Sequence, residues 1–514
     1  MKQVVTFGLF SLLIFIAGLA LFSKPTHDHN WGDDFAAYIM QAKSIVDGSP
    51  QAFVEANRFT TEQSSYLIPN AYPWGFPLML APFYALWGLN LVALKAVSKI
   101  SYLLLLVVLW FGFRKVHLTP WFLCLMCLFT LNPYLISFSE DILSDLPFLL
   151  LSTLCILLIQ TIVVENKHIV SNFWSYFLIG FGITSAFLIR TNGILLLITL
   201  GISQVVSYLQ KQLQSGEAIL KYDRPTLSLI AFPFYKRISI KSLLLHLTPY
   251  VVFFCSITLW GRIFPDGGAS YIDQLKDFSI HTLVSNFVYY LKLPARFFMG
   301  IPYYKVLYII TIPLVIAGAA RRYKFDYPAI IYLILTFILI SIWPHRQGLR
   351  FLFPILPFYI SFVLFGLDAF YNRMVWGQIR RPLCYFPVAL VILFFGFWVL
   401  NNTYLKERNN DKITNGPFGP TAQEMFTFIS NNTKSTDTII FFKPRLMRLI
   451  TDRQSIAIYV VDQLIRGDYL SFYLKTKGGQ VSQDQLESLI TKDDVGLIFE
   501  NHDFKVYQLK NKNH

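Results

Sequence analysis

"WGFPLMLAPFYALWGLN", Trp74 to Asn90, is apolar enough to enter a membrane, yet it holds Pro77, Pro82, Gly75 and Gly88. Whether it crosses decides the topology of the whole chain. With this run left out and the N-terminus cytoplasmic, the inside loops read "FRKVH", "ENKH", "KQLQ…YKRISIK", "RRYK" and "NRMVWGQIRR". All but "ENKH" are clearly basic. Counting the run as a span would invert every later loop and put those clusters outside, against the bias of Lys and Arg toward cytoplasmic loops. The run therefore reads as a helix lying in, or dipping into, the outer interface.

The membrane itself follows from composition. Of 514 residues 54% are hydrophobic and only 14% charged, and Phe alone occurs 48 times; a soluble chain carries roughly 25% charged residues. A mean hydropathy of +0.49 agrees. The net charge of +14 is the expected excess of cytoplasmic Lys and Arg and implies no nucleic acid. Runs of the 17–25 apolar residues that cross a bilayer lie near 4–23, 96–113, 119–137, 146–164, 174–190, 193–208, 243–262, 303–319, 327–343, 350–368 and 383–400. The first lacks a small-x-small cleavage site and reads as an uncleaved span, not a signal peptide.

About eleven spans put the N-terminus inside and the C-terminus outside. The predicted fold is an α-helical polytopic membrane protein with a small soluble α/β domain. Residues 1–401 form the membrane module, with a large first outer loop at 24–95 and another at 263–302 containing "YIDQLKDF". Residues 402–514 change composition: "TAQEMFTFISNNT" reads as helix, "DTIIFFKP" as strand, and "RLMRLITDRQSIAIYV" and "DDVGLIFENHDFKVYQL" mix the two periods.

Charges are scarce, so their placement is informative. Asp33 and Asp34 adjoin in "NWGDDFAAYIMQAKSI". Glu140, Asp141 and Asp145 form a second acidic cluster on the same side, in "SFSEDILSDLPF". Arg190 ("FLIRTNG"), and His345, Arg346 and Arg350 ("WPHRQGLRFLFPILP"), stand at the outer ends of other spans. Acids at a helix end also serve simply to solvate it. Unpaired charges this close to hydrocarbon cost a few kcal/mol each, however, and acids and arginines converging on one face imply a polar cavity. A carboxylate beside an arginine-rich pocket suits attack of an acceptor hydroxyl on a sugar whose leaving group is a lipid phosphate. The logic is that of an inverting glycosidase with a hydroxyl replacing water. No P-loop or Rossmann fingerprint is present, and no cofactor is called for.

Other residues read as structural. Cys124 and Cys127 have CxxC spacing but sit inside "WFLCLMCLF"; with Cys155, Cys255 and Cys384, all five cysteines are in apolar segments. His27 and His29 flank Asp28 on one short loop, where solvation is commoner than metal binding, so no metal is assigned. Trp31, Trp74 and Trp87 suit an aromatic belt. Lys95 and Lys99 either meet lipid phosphate or snorkel. Pro354 and Pro357 are placed to kink a span.

"WGDDFAAYIMQAKSI" followed by "YPWGFPLMLAPFYALWG" resembles the first-loop pattern of bacterial GT-C superfamily glycosyltransferases: lipid A aminoarabinose transferases, RgtA/B/C/D-like enzymes and protein O-mannosyltransferases. "HRQGLRFLFPILPF" resembles the outer motif of lipid-linked mannosyltransferases. The resemblance covers roughly residues 1–400. It implies a polyprenyl-phosphate-linked sugar donor, a glycan, lipid or protein acceptor and a plasma (inner) membrane location. The active site and C-terminal domain would then face outward. It places the general base on Asp33, an orienting acid on Asp34, and donor phosphate on Arg350, Arg346, His345 and Arg190. Glu140, Asp141 and Asp145 fall to the acceptor side. The usual acid pair is Asp-Glu, whereas this chain has Asp-Asp, and "RQG" departs from the mannosyltransferase form; sugar and acceptor stay open. The rival reading is a transporter or lipid flippase, which would show repeats or broken helices at the midplane.

Overall fold

The computed structural model describes residues 2–22, 26–65, 67, 69–117, 119–167, 169–220, 240–267, 279–373, 380–408, 416–476, 478–491 and 495–510. "YIDQLKDF", most of the basic loop 211–241 and the centre of "NRMVWGQIRR" lie outside the described residues.

Helix α1 (Lys2–Phe22) leads to three helices built from the first outer loop, α2 (Asp34–Val46), α3 (Pro50–Gln63) and α4 (Gly75–Trp87). The bundle follows: α5 (Leu91–Phe113), α6 (Thr119–Thr130), α7 (Pro133–Phe138), α8 (Asp145–Ile159), α9 (Asn172–Ile189), α10 (Ile194–Leu220), α11 (Ile240–Ile263), α12 (Ile280–Lys292), α13 (Tyr304–Ile342), α14 (Leu356–Arg373) and α15 (Arg380–Arg408). Among the described residues, eight helical segments are long and apolar enough to cross a membrane; Ser11–Phe22, Gly75–Trp87 and Val388–Asn401 are apolar but shorter. The expected eleven spans are therefore accounted for only in part.

Two of them lie in α13. Its backbone leaves helical geometry at Asp326 (φ −103°, ψ 18°), two residues before Pro328. Tyr308, near its start, donates to Leu291 O, and Trp343 O, just past its end, accepts from Asn286 Nδ2 at 2.6 Å. A straight helix would hold Tyr308 and Trp343 about 50 Å apart. Both reach the short helix α12, so the chain doubles back at Asp326 and both expected segments, 303–319 and 327–343, are present.

The spans alternate. One end gathers the starts of α5, α8 and α10 with the ends of α9 and α11, tied by Tyr38 Oη···Ser144 Oγ at 3.1 Å and Trp74 Nε1→Pro265 O at 2.9 Å. The other end holds Trp121 Nε1→Asp368 Oδ1 (3.1 Å), His117 Nε2···Ser361 Oγ (2.8 Å) and the Arg321–Asp368 ion pair (2.7 Å). Helix α4 packs on α2 at the first end. With 13 residues it is about 20 Å long, short of the ~30 Å hydrocarbon core. It fits there because Gly75 has no side chain: a Cβ would stand 2.5 Å from Leu188 O at the end of α9. Gly318 and Gly366 interlock α13 with α14 in the same way, each lying against the other helix's backbone. Pro354 and Pro357 do not kink a span; Leu349–Ile355 is a tight 3₁₀ stretch feeding α14, so Pro354 falls in it and Pro357 in the first turn of α14, where a missing N–H is tolerated.

After Gly416 the chain forms α16 (Pro420–Asn432), α17 (Pro444–Thr451) and α18 (Gln483–Thr491) on a five-stranded sheet. Its strands are β1 (Thr438–Ile440), β2 (Gln454–Ile456), β3 (Tyr469–Tyr473), β4 (Val495–Glu500) and β5 (Phe504–Leu509), in the order β2-β1-β3-β5-β4. β1 pairs parallel with β2 and β3; β5 pairs antiparallel with β3 and β4. Parallel strands need a crossover, and α17 supplies it between β1 and β2. The unit sits on the outer-loop helices. Ser64 and Ser65 run beside β2, with Ser65 N→Ala457 O at 2.8 Å and Ala457 N→Ser64 Oγ at 2.9 Å. Trp31 is surrounded by Phe442, Tyr473 and Phe504 at 5.2–6.0 Å; it anchors the unit and is not simply part of an interfacial belt.

Candidate active site

The acid pair opens α2. Asp33 is its N-cap residue and Asp34 its first residue, and the Asp33 side chain does not cap its own helix. Successive helical positions point about 100° apart, and the two carboxylates face different partners. Asp33 is 9% exposed. Its Oδ1 accepts the backbone N–H of Arg445 at 3.0 Å, and its Oδ2 lies 3.8 Å from Arg445 Nε. Asp34 keeps 35% of its side chain accessible. Its Oδ1 accepts from Tyr72 Oη at 2.6 Å and its Oδ2 faces Arg350 Nη1 at 3.5 Å.

The two carboxyls differ electrostatically. Burial pushes Asp33 up, against the pull of Arg445 and Lys443. Burial would raise Asp34 too, but Arg350, the Tyr72 hydroxyl and Arg445 together hold it below the ordinary carboxylate range. Asp34 is therefore ionised at neutral pH.

A second charged pair adjoins the first. Arg190 Nη1 bonds Asp145 Oδ1. Asp145 also lies within electrostatic reach of Arg350. Both guanidiniums approach the ring of Phe351, at 5.1 Å for Arg190 and 6.0 Å for Arg350. Asp34, Arg350, Arg190 and Asp145 thus form one charged cluster, joined by Tyr72 on Asp34 and by Gln347, whose amide oxygen bonds Arg350 Nη2.

The other expected residues are held elsewhere. Arg346 binds Asn286 Oδ1 (2.9 Å) and Ser285 Oγ (2.5 Å) and lies over Tyr289. His345 is half-buried beside it. Glu140 turns to Lys99 (3.0 Å) and Lys95 (3.7 Å). Lys95 is 2% and Lys99 3% exposed; Lys95 also bonds the backbone carbonyl of Thr26 and Lys99 that of Leu21. They neither snorkel nor face lipid; they fasten the exit of α1 to the bundle. Asp141 takes a bond from Asn30 Nδ2 at 3.3 Å, and burial raises its carboxyl to about 6. His29 is 6% exposed, with Nδ1 donating to Asn30 O and Nε2 accepting from Ile142 N–H. Burial lowers it to about 4, so it is neutral, and both ring nitrogens are engaged. Among the described residues, no cluster of three or more His, Cys, Asp or Glu is arranged to hold a metal ion.

Tyr72, Gln347 and Arg445 escaped the sequence reading. Tyr72 sits in an unstructured-looking "NAYPW". Arg445 lies 412 residues from Asp33, and nothing local in "KPRLMRLI" marks it as more than a surface charge on an amphipathic helix.

The sequence matches no protein-family model, and no curated protein matches it by sequence. The fold is shared with solved structures. ArnT from Cupriavidus metallidurans bound to undecaprenyl phosphate superposes with a TM-score of 0.59 at 12% identity, covering 97% of this chain and 98% of that one. The apo form gives 0.57, also at 12% identity, over 98% of both. The oligosaccharyltransferase AglB from Archaeoglobus fulgidus, in complex with an inhibitory peptide and a dolichol-phosphate, gives 0.52 at 10% identity. It covers 88% of this chain and 64% of that one. These are GT-C folds, so the chain is a multi-pass membrane protein with a GT-C architecture.

Proposed function

We propose that the protein is an integral membrane glycosyltransferase that moves a sugar from a polyprenyl-phosphate donor to a hydroxyl of an extracytoplasmic glycan, lipid or protein acceptor. The observation that carries this is the accessible Asp34 carboxylate, ionised and facing Arg350 in a charged cluster that also holds Arg190 and Asp145. Neighbours of the same fold bind undecaprenyl phosphate or a dolichol-phosphate, which supports the donor class. The charges of the acid pair and its arginines gather at one end of the bundle, which favours a surface enzyme over the flippase reading.

Within the pair we assign the base to Asp34, reversing the order suggested by the sequence motif. A general base must reach the proton it takes, and Asp33 is closed off by Arg445. In the proposed step the acceptor oxygen attacks the anomeric carbon and gives its proton to Asp34. The bond from that carbon to the phosphate oxygen breaks, the configuration inverts, and polyprenyl phosphate leaves with the negative charge. Arg350 and Arg190 are placed to stabilise that charge through forked, charge-assisted bonds. The 3.5 Å contact of Arg350 to Asp34 is long for such a bond, normally about 2.7–2.9 Å. Donor phosphate therefore competes for Arg350, and its arrival frees Asp34 and raises its basicity.

The site and the C-terminal unit share one end of the bundle, and we assign that end to the extracytoplasmic face. An impermeant maleimide tests this. In a variant lacking the five native cysteines, a cysteine replacing the exposed Ser435 is labelled in intact spheroplasts. Protection until the membrane is opened would overturn the orientation.

A further inference from the structure

We propose that the C-terminal unit is a working part of the acid site, because Arg445 acts as a positioning residue: it holds Asp33 and Tyr72 and, through the Tyr72 hydroxyl, fixes Asp34. The inference rests on the reading of Asp34 as the working acid.

Arg445 stands in the first turn of α17 and is 0% exposed. A buried guanidinium is an expensive way to dock a helix, since replacing a buried ion pair by apolar residues of similar size is often neutral or stabilising. The packing of α17 on α2 already has Leu446 and Met447, both fully buried, in the core. The charge needs another reason, and its contacts supply one. Nη2 bonds Pro69 O, Nη1 donates to Tyr72 Oη at 3.3 Å, and the guanidinium lies 5.4 Å from the centre of the Tyr72 ring. Tyr72 in turn donates to Asp34 Oδ1 at 2.6 Å.

The tyrosine hydroxyl is thus the middle of a chain. It accepts from a cation and donates to a carboxylate, and hydrogen bonds in such a chain polarise one another in the same direction. Arg445 strengthens the Tyr72 bond to Asp34 without touching Asp34. Its backbone is fixed as well, since its N–H donates to Asp33 Oδ1 at the positive end of α17, where a carboxylate is favoured. Asp33, the first of the acid pair, becomes the clasp between the loop helices and the C-terminal unit.

Arg448, one turn further on, gives an internal comparison. It bonds Asn57 Oδ1 at 2.9 Å and Thr60 Oγ1 at 3.1 Å. It docks the same helix on the same loop but reaches neither Tyr72 nor Asp34. A purely docking role for Arg445 predicts that the two arginines behave alike.

Dicyclohexylcarbodiimide modifies protonated carboxyls, so the pH dependence of its labelling at Asp34, read by peptide mass spectrometry on purified full-length protein, reports protonation without turnover. The charged and titratable groups facing Asp34 are Asp33 and Tyr38 on α2, Tyr72 in the loop, Arg350 before α14 and Arg445 on α17. Arg445 and Tyr72 both favour the ionised form, so removing either raises the midpoint. Arg445→Gln and Tyr72→Phe are expected to move it up by about one unit. Arg445→Lys should recover part of the shift, and Arg448→Gln should leave the midpoint in place. Unmoved midpoints in Arg445→Gln and Tyr72→Phe, or an equal shift in Arg448→Gln, would overturn the inference. Should Arg445→Gln not fold, Arg445→Lys decides: the ammonium keeps the charge but loses the fork that holds Tyr72 and Pro69 O together, so a midpoint equal to that of the wild type would overturn the inference. Shifted midpoints in a chain that transfers no sugar would remove the proposed function and keep this inference. Unmoved midpoints in an active enzyme would remove only the inference.

Discussion

Replacing Asp34 by Asn leaves a protein that folds and retains donor lipid but transfers sugar about 10²–10⁴-fold more slowly, the usual loss when a general base is removed. Asn keeps the acceptor for the Tyr72 hydroxyl and the volume of the side chain, so KM for donor changes little while kcat falls. Asp33→Asn behaves differently. Its side-chain oxygen still accepts the Arg445 amide, and the carboxylate it replaces is buried against Arg445, so transfer stays measurable. Single-turnover assays on the two variants check the division of roles. Full activity in Asp34→Asn with loss in Asp33→Asn would restore the order suggested by the sequence motif. The acid limb of the wild-type pH–rate profile follows from the electrostatics. With Asp34 of the free enzyme held below the ordinary carboxylate value, near 3.9, kcat/KM is sustained into mildly acidic buffer and is lost only as pH falls through that lowered value, whereas the acid limb of kcat, which reports the donor complex, lies at higher pH.

Replacing Arg350 by Ala costs about 10²–10³-fold in kcat, the range seen when one donor to a developing negative charge is removed. Arg350→Lys keeps the charge but loses the planar fork and falls between. The effect on Asp34 runs the other way: without Arg350 the carboxyl of the free enzyme rises, so the acid limb of kcat/KM in Arg350→Ala moves to higher pH. A structural role alone would lower activity without moving that limb. Arg190→Ala should be milder in kcat, because Arg190 already has Asp145 as a close partner; its loss strands Asp145, 3% exposed, and lowers stability as well. Thermal melting beside kinetics separates the two arginines.

The membrane architecture was legible because hydrocarbon imposes a long apolar period that few other constraints mimic. The interfacial reading of Trp74–Asn90 rests on loop charge alone; in the structure a 13-residue helix packs there beside α2. Helices Asp34–Val46 and Pro420–Asn432 and the strands flanking Pro444–Thr451 also fell where periodicity put them. The site was half legible. Scarce charges near hydrocarbon mark themselves, and four of those so marked, Asp34, Arg350, Arg190 and Asp145, come together in the structure. Their division into pairs was not visible, because it depends on rotation about helix axes. The same limit applies to Lys95 and Lys99, whose snorkelling read well on α5 but whose partner Glu140 comes from the segment after α7. Arg445 was out of reach altogether: its meaning lies in a fold contact across most of the chain, and an arginine on a short amphipathic helix looks like solvent-facing charge.

Purified protein in liposomes supplemented with a lipid extract of its native membrane, and with the matching envelope acceptor fraction, is assayed for free polyprenyl phosphate by mass spectrometry. Wild type should release polyprenyl phosphate in step with sugar appearing on the acceptor. Asp34→Asn should bind the same lipid-linked sugar and release almost none. No release by wild type, or equal release by Asp34→Asn, would contradict the assignment of this charged cluster as a polyprenyl-phosphate glycosyltransferase site.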